Sequence, residues 1–540
     1  MGFIKTQKVV RDKNNVIVSG SAAVVDTVYI GTGQANHSKH EVREKLGKVL
    51  YLSEDKRNGI FLSPTRGLVH YDAGTDTFET VERDDPRIKD RKDLFPATEI
   101  HTIFGDAYLL LSFLEKCGML RVLRTVFPKD SDYERLLGHI LHGVLKDGSK
   151  IACDTFLQKS FASYLLQDIP LSSFRSDTAF YTAMGADHVK VSFFQAFVAA
   201  MRKTYPSFGK GCYVDSTPLP NDIENNPFNA LCCHGVAACD VMARLVLVLD
   251  EISGLPVWYD IIPGNVLDIN TVMNTVNDVA DTLDIEIDSL VLDAGYISKD
   301  LLQTFHIGSV KSFVGRMPAR KGFPFKTLYW DVKDLIGKGK YAFVRAHHTY
   351  FGIRKEIRLF DQDIYAYVYV DQNNALKRFG DYLVEHEDDY ADLRARDKDW
   401  YTVRYGYFVL LSNIDASPKA LLTEYFCRTE IEEVFKTSKD YLDLLPLSKW
   451  TDTTIRGKIL HDTIDTIVLL SLRKAMKESG VSTSEIFGRT QSLMCARKNN
   501  GMVTVETPNK QVKEYYKLLG LQIPAHVNLK VISNSLGLKM

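Results

Sequence analysis

The sequence predicts an α/β fold in which a β-rich N-terminal segment and a helical domain precede a core of alternating strands and helices. Three observations lead to this prediction. Short strand-like runs and turns fill residues 1 to about 90. Residues 105–205 show helical periodicity and predict four or five packed helices. From Gly211 onward, apolar strand patterns alternate with amphipathic helices, as they do in α/β proteins.

The composition is that of an ordinary globular chain. Its 540 residues are 45% hydrophobic and 25% charged, which allows three or four domains. The sequence has no uninterrupted apolar run of membrane-spanning length, and its N-terminus lacks the apolar core of a signal peptide, so we expect no membrane partner. Eight cysteines without regular spacing favour a reducing compartment over a disulfide framework.

Cys232, Cys233, His234 and Cys239 form a local group of potential zinc ligands. A second CxxC or HxxxH pair would be needed to complete a tetrahedral site, and the sequence provides none. The zinc interpretation is therefore disfavoured.

The net charge of −1 gives no sign of a nucleic-acid partner, but residues 311–358 are strongly basic. Twelve basic and three acidic residues give this basic segment a charge of +9, and aromatic residues are interleaved with the charges. Such a mixture suits a phosphate-binding surface with stacking groups. The alternative is a twisted hairpin with a charged outer face. The DNA-contact candidates are Arg316, Arg320, Lys321 and Trp330.

Two aspartates come at the ends of predicted core strands. Residues 212–215 form a short apolar strand that ends in Asp215 and is broken by Pro218 and Pro220. Residues 288–293 form another that ends in Asp293. Strand-end carboxylates converge at one edge of an α/β sheet, where sites commonly form. An aspartate at a strand end is also a routine turn residue, so either one alone is weak evidence.

Residues 425–439 predict a helix, which Ser417 caps and Pro446 ends. On an ideal helix four polar residues fall within a narrow stripe of roughly 60°. They are Tyr425, Arg428, Glu432 and Lys439. Glu430 and Glu433 fall off that stripe, so Glu432 is the candidate carboxylate. The alternative is a solvated face with ordinary ion pairs at helical spacing.

Asp215, Asp293 and Glu432 together predict a metal site. Carboxylates gathered at one place repel one another, and a divalent cation relieves that cost. Oxygen ligands favour Mg²⁺ or Mn²⁺, and two such ions can stabilise both oxygens of an in-line phosphoryl displacement.

The stripe matches the YREK signature (Tyr, two residues, Arg, three, Glu, six, Lys) of bacterial insertion-sequence DDE transposases, the insertion-sequence-four group and its relatives. Residues 213–217 resemble their first catalytic segment and 292–296 their second. Residues 254–268 resemble their strand-turn-strand and following helix, and 405–413 the strand before the third segment. The strand and helix order resembles that of the ribonuclease-H-like fold. The resemblance covers roughly residues 205–480 and disfavours the solvated-face alternative.

The resemblance implies a role for each signature residue. Asp215, Asp293 and Glu432 would hold two metal ions, Mg²⁺ or Mn²⁺. Tyr425, Arg428 and Lys439 would bind phosphates at the transposon end and steady a distorted or flipped nucleotide. Trp330 is either a base-stacking residue or a packed hairpin tryptophan. Two departures from the family are Ala294, where many relatives have a polar residue, and the near-neutral net charge.

The domain boundaries follow from the same reasoning. We expect a β-rich region for DNA-end recognition, a helical domain, a ribonuclease-H-like catalytic domain, a β-rich basic insertion and a C-terminal tail that serves in dimerisation. Their respective ranges are 1–100, 101–205, 206–316 with 403–480, 317–402, and 481–540.

The resemblance implies a cut-and-paste transposase of a bacterial cytoplasm, associated with the nucleoid. It would nick DNA at its terminal inverted repeats, and the freed 3′-hydroxyl would attack the opposite strand, giving a hairpin in the best-known relatives, and then target DNA. Two ends must be held together, which predicts a homodimer on double-stranded DNA. The alternatives are a nuclease of the same fold that cuts without joining, and a domesticated DNA-binding protein without catalysis.

Overall fold

The computed structural model describes residues 2–13, 16–30, 37–82, 85–88, 101–146, 152–220, 223, 226–232, 240–266, 268–307, 310–426, 429–442, 444–445, 447–497 and 501–539. These residues divide into two units, Met1–Ile100 and His101–Met540. In the described part, helices that are both long enough and apolar enough to cross a membrane are absent. The mixed α/β character predicted from the sequence is confirmed.

The first unit is an antiparallel sheet whose strands follow one another in chain order. Its strands are β1 (Phe3–Arg11), β2 (Ile17–Ile30), β3 (His37–Leu52), β4 (Asn58–Ser63), β5 (Gly67–Asp72) and β6 (Thr77–Thr80). Register shifts interrupt the β1–β2, β2–β3 and β3–β4 ladders, and such bulges bend strands and increase their twist. Alternate side chains from β2 to β5, among them Val24, Leu46, Phe61 and Tyr71, form the core of this unit.

The second unit begins with β7 (His101–Ile103) and a group of packed helices. The helices are α1 (Gly105–Lys116), α2 (Met119–Val126), α3 (Asp130–Leu145), α4 (Cys153–Lys159), α5 (Thr178–Met184) and α6 (Asp187–Arg202). The helical periodicity of residues 105–205 is thus confirmed. Leu110, Leu137, Ile140 and Phe193 are among the residues that these helices bury in one core.

A ten-stranded sheet follows in the chain. Its first strands and their helices are β8 (Gly211–Pro220), β9 (Ala230–Leu231), β10 (Val241–Asp250), β11 (Pro256–Pro263), α7 (Asp268–Leu283), β12 (Ser289–Leu292), α8 (Lys299–Ile307) and β13 (Ser312–Arg316). In space the order is β11-β10-β8-β12-β13. The first three strands are antiparallel, while β12 runs parallel to both β8 and β13.

One sequence prediction about β8 is wrong, because the strand continues through Pro218 to Pro220 and Asp215 lies in its middle. The carbonyl of Pro218 accepts a hydrogen bond from the Lys439 side chain, so the backbone of Pro218 faces away from β10. The missing N–H of this proline therefore removes no ladder hydrogen bond. The prolines do not end β8, because among the described residues they lie beyond the part of β8 that pairs with β12.

Residues 317–402 contain helices as well as strands, so the prediction of a β-rich insertion describes only part of this segment. The elements are α9 (Phe325–Val332), β14 (Ala342–Arg345), β15 (His348–Leu359), β16 (Gln362–Asp371), α10 (Gln372–Glu385), α11 (Glu387–Ala391) and α12 (Ala395–Val403). The next strand, β17 (Tyr407–Ser412), pairs with β13 on one side and β16 on the other. The inserted strands therefore extend the core sheet.

The last part of the chain contains the signature helices and a small sheet. Its elements are α13 (Pro418–Phe426), α14 (Thr429–Lys436), α15 (Asp452–Met476), α16 (Thr483–Thr490), β18 (Met494–Arg497), β19 (Met502–Val505), α17 (Lys510–Leu518), β20 (His526–Asn528) and α18 (Leu529–Ser535). The sheet order β20-β19-β18-β7 joins the end of the chain to the start of the helical region. The helix predicted from Asp452 to Met476 is confirmed.

Candidate active site

Asp215 and Asp293 lie next to each other in the sheet. The parallel ladder between β8 and β12 ends with the pair Val214 and Leu292. Asp215 is the next residue of β8, and Asp293 directly follows the end of β12. Both side chains are half-buried. The backbone N–H of Ser216 donates to Asp215 Oδ1 at 2.8 Å, which orients this carboxylate. The predicted convergence of the two aspartates thus arises from parallel pairing at the point where β12 ends.

Tyr425 connects the signature region to the second aspartate. This tyrosine is buried at the end of α13, and its hydroxyl donates to Asp293 Oδ1 at 3.3 Å. Ser417 caps α13 as predicted, since its Oγ accepts from the N–H of Ala420 at 3.2 Å. The contact orients the Asp293 carboxylate through one of its two oxygens.

The signature region departs from one ideal helix. It consists of α13, α14 and a π-helical turn, Thr437–Tyr441, in which the N–H of Leu442 donates to the carbonyl of Thr437. The angle predicted for Lys439 assumed α-helical geometry, so it is wrong for this residue. Arg428 lies outside the described residues. Glu432 is exposed on α14, which packs against β8, while Ile431 and Val434 are buried as predicted.

Lys439 reaches β8 from the π-helical turn. Its ammonium group donates to Thr217 Oγ1 at 2.6 Å and to the carbonyl of Pro218 at 2.8 Å. Residues two apart on a strand share a face, so Thr217 and Asp215 project from the same side of β8. Lys439 therefore lies against the face that carries the first aspartate, about 7 Å further along the strand.

Arg473 on α15 holds the π-helical turn in place. Its guanidinium donates to Thr437 Oγ1 at 2.7 Å and lies 3.9 Å from Glu433 Oε1. Glu433 thus points toward α15, which agrees with its predicted position off the stripe. Local sequence patterns do not mark Thr217, Thr437 or Arg473, because their partners are 36 or more residues away in the chain.

A second carboxylate beside Tyr425 differs from the candidate ligands. Glu424 on α13 is half-buried, and burial together with the nearby charge of Glu251 raises its pKa above the usual value. Ser289 Oγ donates to Glu251 at 2.9 Å. A carboxyl group whose neutral form is favoured is a poor ligand for a cation. Glu424 is therefore a weaker candidate ligand than Glu432.

The carboxylates of Asp215, Asp293 and Glu432 are of the chemical kind that Mg²⁺ or Mn²⁺ prefers. Among the described residues, however, these three do not form a group whose ligand atoms all lie within 4.8 Å of one another. Two carboxylates at adjacent positions in a sheet repel each other unless a cation or a proton compensates them. Tyr425 engages Asp293 through Oδ1, so this tyrosine orients the second candidate carboxylate.

The three basic candidates lie at the end of β13 and just after it. Arg316, Arg320 and Lys321 are exposed. The Arg320 guanidinium donates to the carbonyl of Ile297 at 2.6 Å, in the segment that follows Asp293. Among the residues that the structure describes, carboxylate partners of these three cations are absent. They are therefore available to phosphates.

Other cations of the basic segment are neutralised by carboxylates. Lys333 contacts Asp399 at 2.5 Å, Arg354 pairs with Asp415, and Lys355 pairs with Asp331. Two of these three acids lie outside residues 311–358, so a charge counted over the segment alone overstates the charge of the surface. The effective positive charge is concentrated in fewer side chains than the sequence indicated.

Trp330 lies on α9 and not on a hairpin. Its half-buried ring lies 4.8 Å from the ring of Tyr329, and the guanidinium of Arg396 covers it at 4.4 Å from its centroid. The ammonium group of Lys333 is a further 5.5 Å contact. These contacts favour a packed tryptophan over a base-stacking one. Of the cysteine and histidine group, Cys232 is buried, and Cys233, His234 and Cys239 lie outside the described residues.

Comparison with known proteins gives one family match. Residues 214–456 match the family model described as "Transposase DDE domain", a region that includes Asp215, Asp293 and Glu432. This part of the chain is therefore similar to the DDE transposase domain. This match supports a DNA transposase function, with DNA as the partner, and enzymes of this class generally use divalent metal ions.

Curated proteins and solved structures provide two further comparisons. No curated protein matches the chain. A structure titled "Cryo-EM structure of piggyBac transposase synaptic complex with hairpin DNA (SNHP)" is similar at 9% sequence identity with a TM-score of 0.37, covering 72% of this chain and 79% of that one.

Proposed function

We propose that this chain is a cut-and-paste transposase of the YREK-signature, insertion-sequence-four-like group. It would cleave DNA at the terminal inverted repeats of its own element and join the freed 3′-hydroxyl ends to target DNA. The proposal is supported by the family match over residues 214–456 together with one structural observation. The signature region contacts both aspartate-bearing strands, through Tyr425 on Asp293 and through Lys439 on Thr217.

A ribonuclease-H-like core agrees with the sheet. Three antiparallel strands in the order β11-β10-β8 are followed by two parallel ones, β12 and β13. Among these five strands β8 comes first in the chain and β12 comes fourth, and the two lie side by side at the centre. Asp215 on β8 and Asp293 at the end of β12 are therefore neighbours. Glu432 on helix α14 would supply the third carboxylate.

Asp215, Asp293 and Glu432 would hold two Mg²⁺ or Mn²⁺ ions. When bound, such ions would supply charge neutralisation and a more acidic water. The chain's own groups orient these ligands. Tyr425 fixes the Asp293 carboxylate, and the N–H of Ser216 fixes that of Asp215.

Lys439 and Arg428 would bind phosphates of the transposon end. In the absence of DNA the Lys439 ammonium bonds to Thr217 and Pro218, both neutral acceptors. A phosphate is a stronger acceptor for an ammonium group than a hydroxyl or a carbonyl. We therefore expect Lys439 to exchange at least one of these bonds for a phosphate when DNA binds.

The remaining parts of the proposal concern assembly. Residues 1–100 would recognise the terminal inverted repeats, and residues 481–540 would contribute to a homodimer that holds two ends together. A protein acting on chromosomal DNA would be associated with the nucleoid in a bacterial cytoplasm.

The test is a strand-transfer assay with Mg²⁺ and double-stranded DNA that carries the inverted repeats flanking this reading frame. We expect metal-dependent nicking, second-strand cleavage and joining to a target plasmid. Cleavage without joining would indicate a nuclease of the same fold. Specific binding to the repeats without any cleavage would indicate a domesticated DNA-binding protein.

A further inference from the structure

A second group of possible metal ligands lies on α15, beyond the matched region. His461, Asp462 and Asp465 are 0%, 2% and 0% exposed. Each offers a ligand atom, and these atoms all lie within 4.8 Å of one another. They are distinct from Asp215, Asp293 and Glu432, and they are the one such group among the described residues.

The distances within this group suit a single ion. His461 Nδ1 lies 3.5 Å from Asp462 Oδ1 and 3.5 Å from Asp465 Oδ2. Bonds of about 2.0–2.2 Å to a tetrahedral zinc ion place its ligand atoms about 3.3–3.6 Å apart. Both observed separations are longer than an ordinary nitrogen–oxygen hydrogen bond.

A second helix brings another histidine near this group. His139 on α3 is fully buried, and its ring centroid lies 6.2 Å from that of His461. Two imidazoles on one zinc ion have centroids about 5–6 Å apart. The ring of Phe180 on α5 stacks on His139 at 4.2 Å and lies 5.2 Å from His461.

The walls around this group are closely packed. At Gly457 a Cβ atom would lie 1.8 Å from the carbonyl oxygen of Tyr181, so α15 and α5 approach each other at their backbones. Such packing limits how far the three helices can rearrange. The buried positions of the ligand atoms are therefore fixed by the surrounding fold.

The group contains two buried carboxylates, Asp462 and Asp465. Lys458 lies one turn before Asp462 on the same helix, and the Lys458 ammonium group lies 3.4 Å from the carbonyl of Leu447. Buried carboxylates need compensating charge, which a divalent ion supplies.

We propose that His461, Asp462 and Asp465, with His139 as the fourth ligand, bind one transition-metal ion of the zinc class that joins α15 to α3. Mixed imidazole and carboxylate donors favour such ions over Mg²⁺. This ion is structural and separate from the ions of the proposed active site. The proposal does not depend on the transposase reaction.

The test measures bound metal in the full chain without DNA. Protein loaded with ZnCl₂ and then freed of excess metal by gel filtration should retain about one zinc per chain by mass spectrometry. His461→Gln, Asp465→Asn and His139→Gln should each lower that content about tenfold or more. Asp293→Asn is the matched control and should retain the zinc, although the proposed function predicts that it loses DNA cleavage.

A second measurement uses the wild-type chain, so its result does not depend on the folding of the variants. The wild-type chain loaded with Co²⁺ should show the visible absorption of a four-coordinate site, and added Zn²⁺ should abolish it. Wild-type protein that takes up neither metal would overturn the proposal and indicate that Lys458 and a protonated His461 balance the carboxylates. Zinc that is lost in Asp293→Asn would also overturn it, and zinc that is kept in folded His139→Gln would overturn the fourth-ligand assignment.

Discussion

At the scale of residues, the site is defined by which side chains the sheet brings together. Asp215 and Asp293 are 78 positions apart in the chain, yet the β8–β12 ladder makes them neighbours. Tyr425 then adds a hydrogen bond to one of them. Each of these residues has an ordinary structural explanation when it is taken alone. Their combination supports a catalytic interpretation.

The first prediction concerns the three carboxylates. Asp215→Asn, Asp293→Asn and Glu432→Gln should each reduce DNA cleavage by on the order of a thousandfold, because each removes a proposed metal ligand worth several kcal/mol of transition-state stabilisation. Binding to the transposon end should change little, since the substitutions leave most of the DNA surface intact. The measurements are single-turnover nicking and a gel-shift titration.

Glu433→Gln is the matched control for this prediction. Glu433 follows Glu432 directly but points toward Arg473 on α15. Its amide variant should keep most of the cleavage activity. If all three ligand variants remained active, or if Glu433→Gln were as inactive as Glu432→Gln, the assignment of the carboxylates would be wrong.

The second prediction separates phosphate binding from metal binding. Lys439→Ala and Arg428→Ala should retain divalent-metal affinity and lose about 10- to 100-fold in the steps that need a distorted DNA end, because a lost charge-assisted hydrogen bond costs about 1.5–3 kcal/mol. Arg428→Lys should rescue only in part, since an ammonium group lacks the planar fork of arginine. Nicking, second-strand cleavage and strand transfer are followed separately, with metal titrated in parallel.

Two results would contradict the phosphate assignment. One is an alanine variant that loses metal affinity as completely as Glu432→Gln. The other is an alanine variant that performs all three steps at the wild-type rate. Either result would mean that the contacts of Lys439 with Thr217 and Pro218 serve the fold alone.

At the scale of elements, the signature region acts as a bridge between two strands. Its first helix, α13, contacts Asp293 through Tyr425, and the π-helical turn after α14 contacts β8 through Lys439. Arg473 on α15 supports that turn through Thr437. Single π-helical turns are frequent at functional sites, because they re-aim side chains within an otherwise regular helix. Here the turn directs Lys439 onto the face of β8 that carries Asp215.

The third prediction concerns the end of β13 and the loop that follows it. Neutralising Arg316, Arg320 and Lys321 together should weaken DNA binding for all sequences and should lower the slope of log affinity against log salt by about 2–3, because each lost phosphate contact removes roughly 0.9 from that slope. The measurement is a binding titration at several salt concentrations.

A matched control is available in the same segment. Lys333, Arg354 and Lys355 are each paired with a carboxylate, so their triple neutralisation should change the slope much less. Equal slopes for the two triple variants would contradict the assignment of the exposed loop as a phosphate contact. An unchanged slope in both would mean that the basic segment is a solvated surface.

At the scale of the whole molecule, the chain consists of two units with separate cores. Val24, Phe61 and Tyr71 belong to a cluster confined to the first unit, while the helices and the large sheet share another. A unit with its own core can fold by itself. The strands that carry the aspartates all lie in the second unit.

The fourth prediction is that deletion of residues 1–100 leaves the second unit folded but removes recognition of the element's ends. The shortened chain should melt cooperatively and should bind end DNA and random DNA with similar affinity, because the remaining cations contact phosphates without reading sequence. Circular dichroism melting and competition gel shifts measure the two properties. Retained preference for the ends would place recognition in the second unit.

The sequence by itself determined the elements and the candidate residues. Apolar periodicity located the strands from β10 to β13 and helix α15, and Ser417 marked the start of α13. The spacing of the signature singled out Glu432 over Glu433. These are local properties, which hydrogen bonding and burial within a few residues decide, so they can be predicted from the chain in order.

Only the tertiary structure decided how these elements meet. Within the described residues, β8 continues through its prolines beyond the point where its pairing with β12 ends. The π-helical turn is contacted by Arg473, which follows Thr437 by 36 residues. The packing of Trp330 under Arg396 and the pairing of His139 with His461 likewise join distant parts of the chain. Such contacts join residues that are far apart in the chain, and local sequence patterns carry no information about them. The sequence therefore predicts the residues of the site, and the fold decides their geometry.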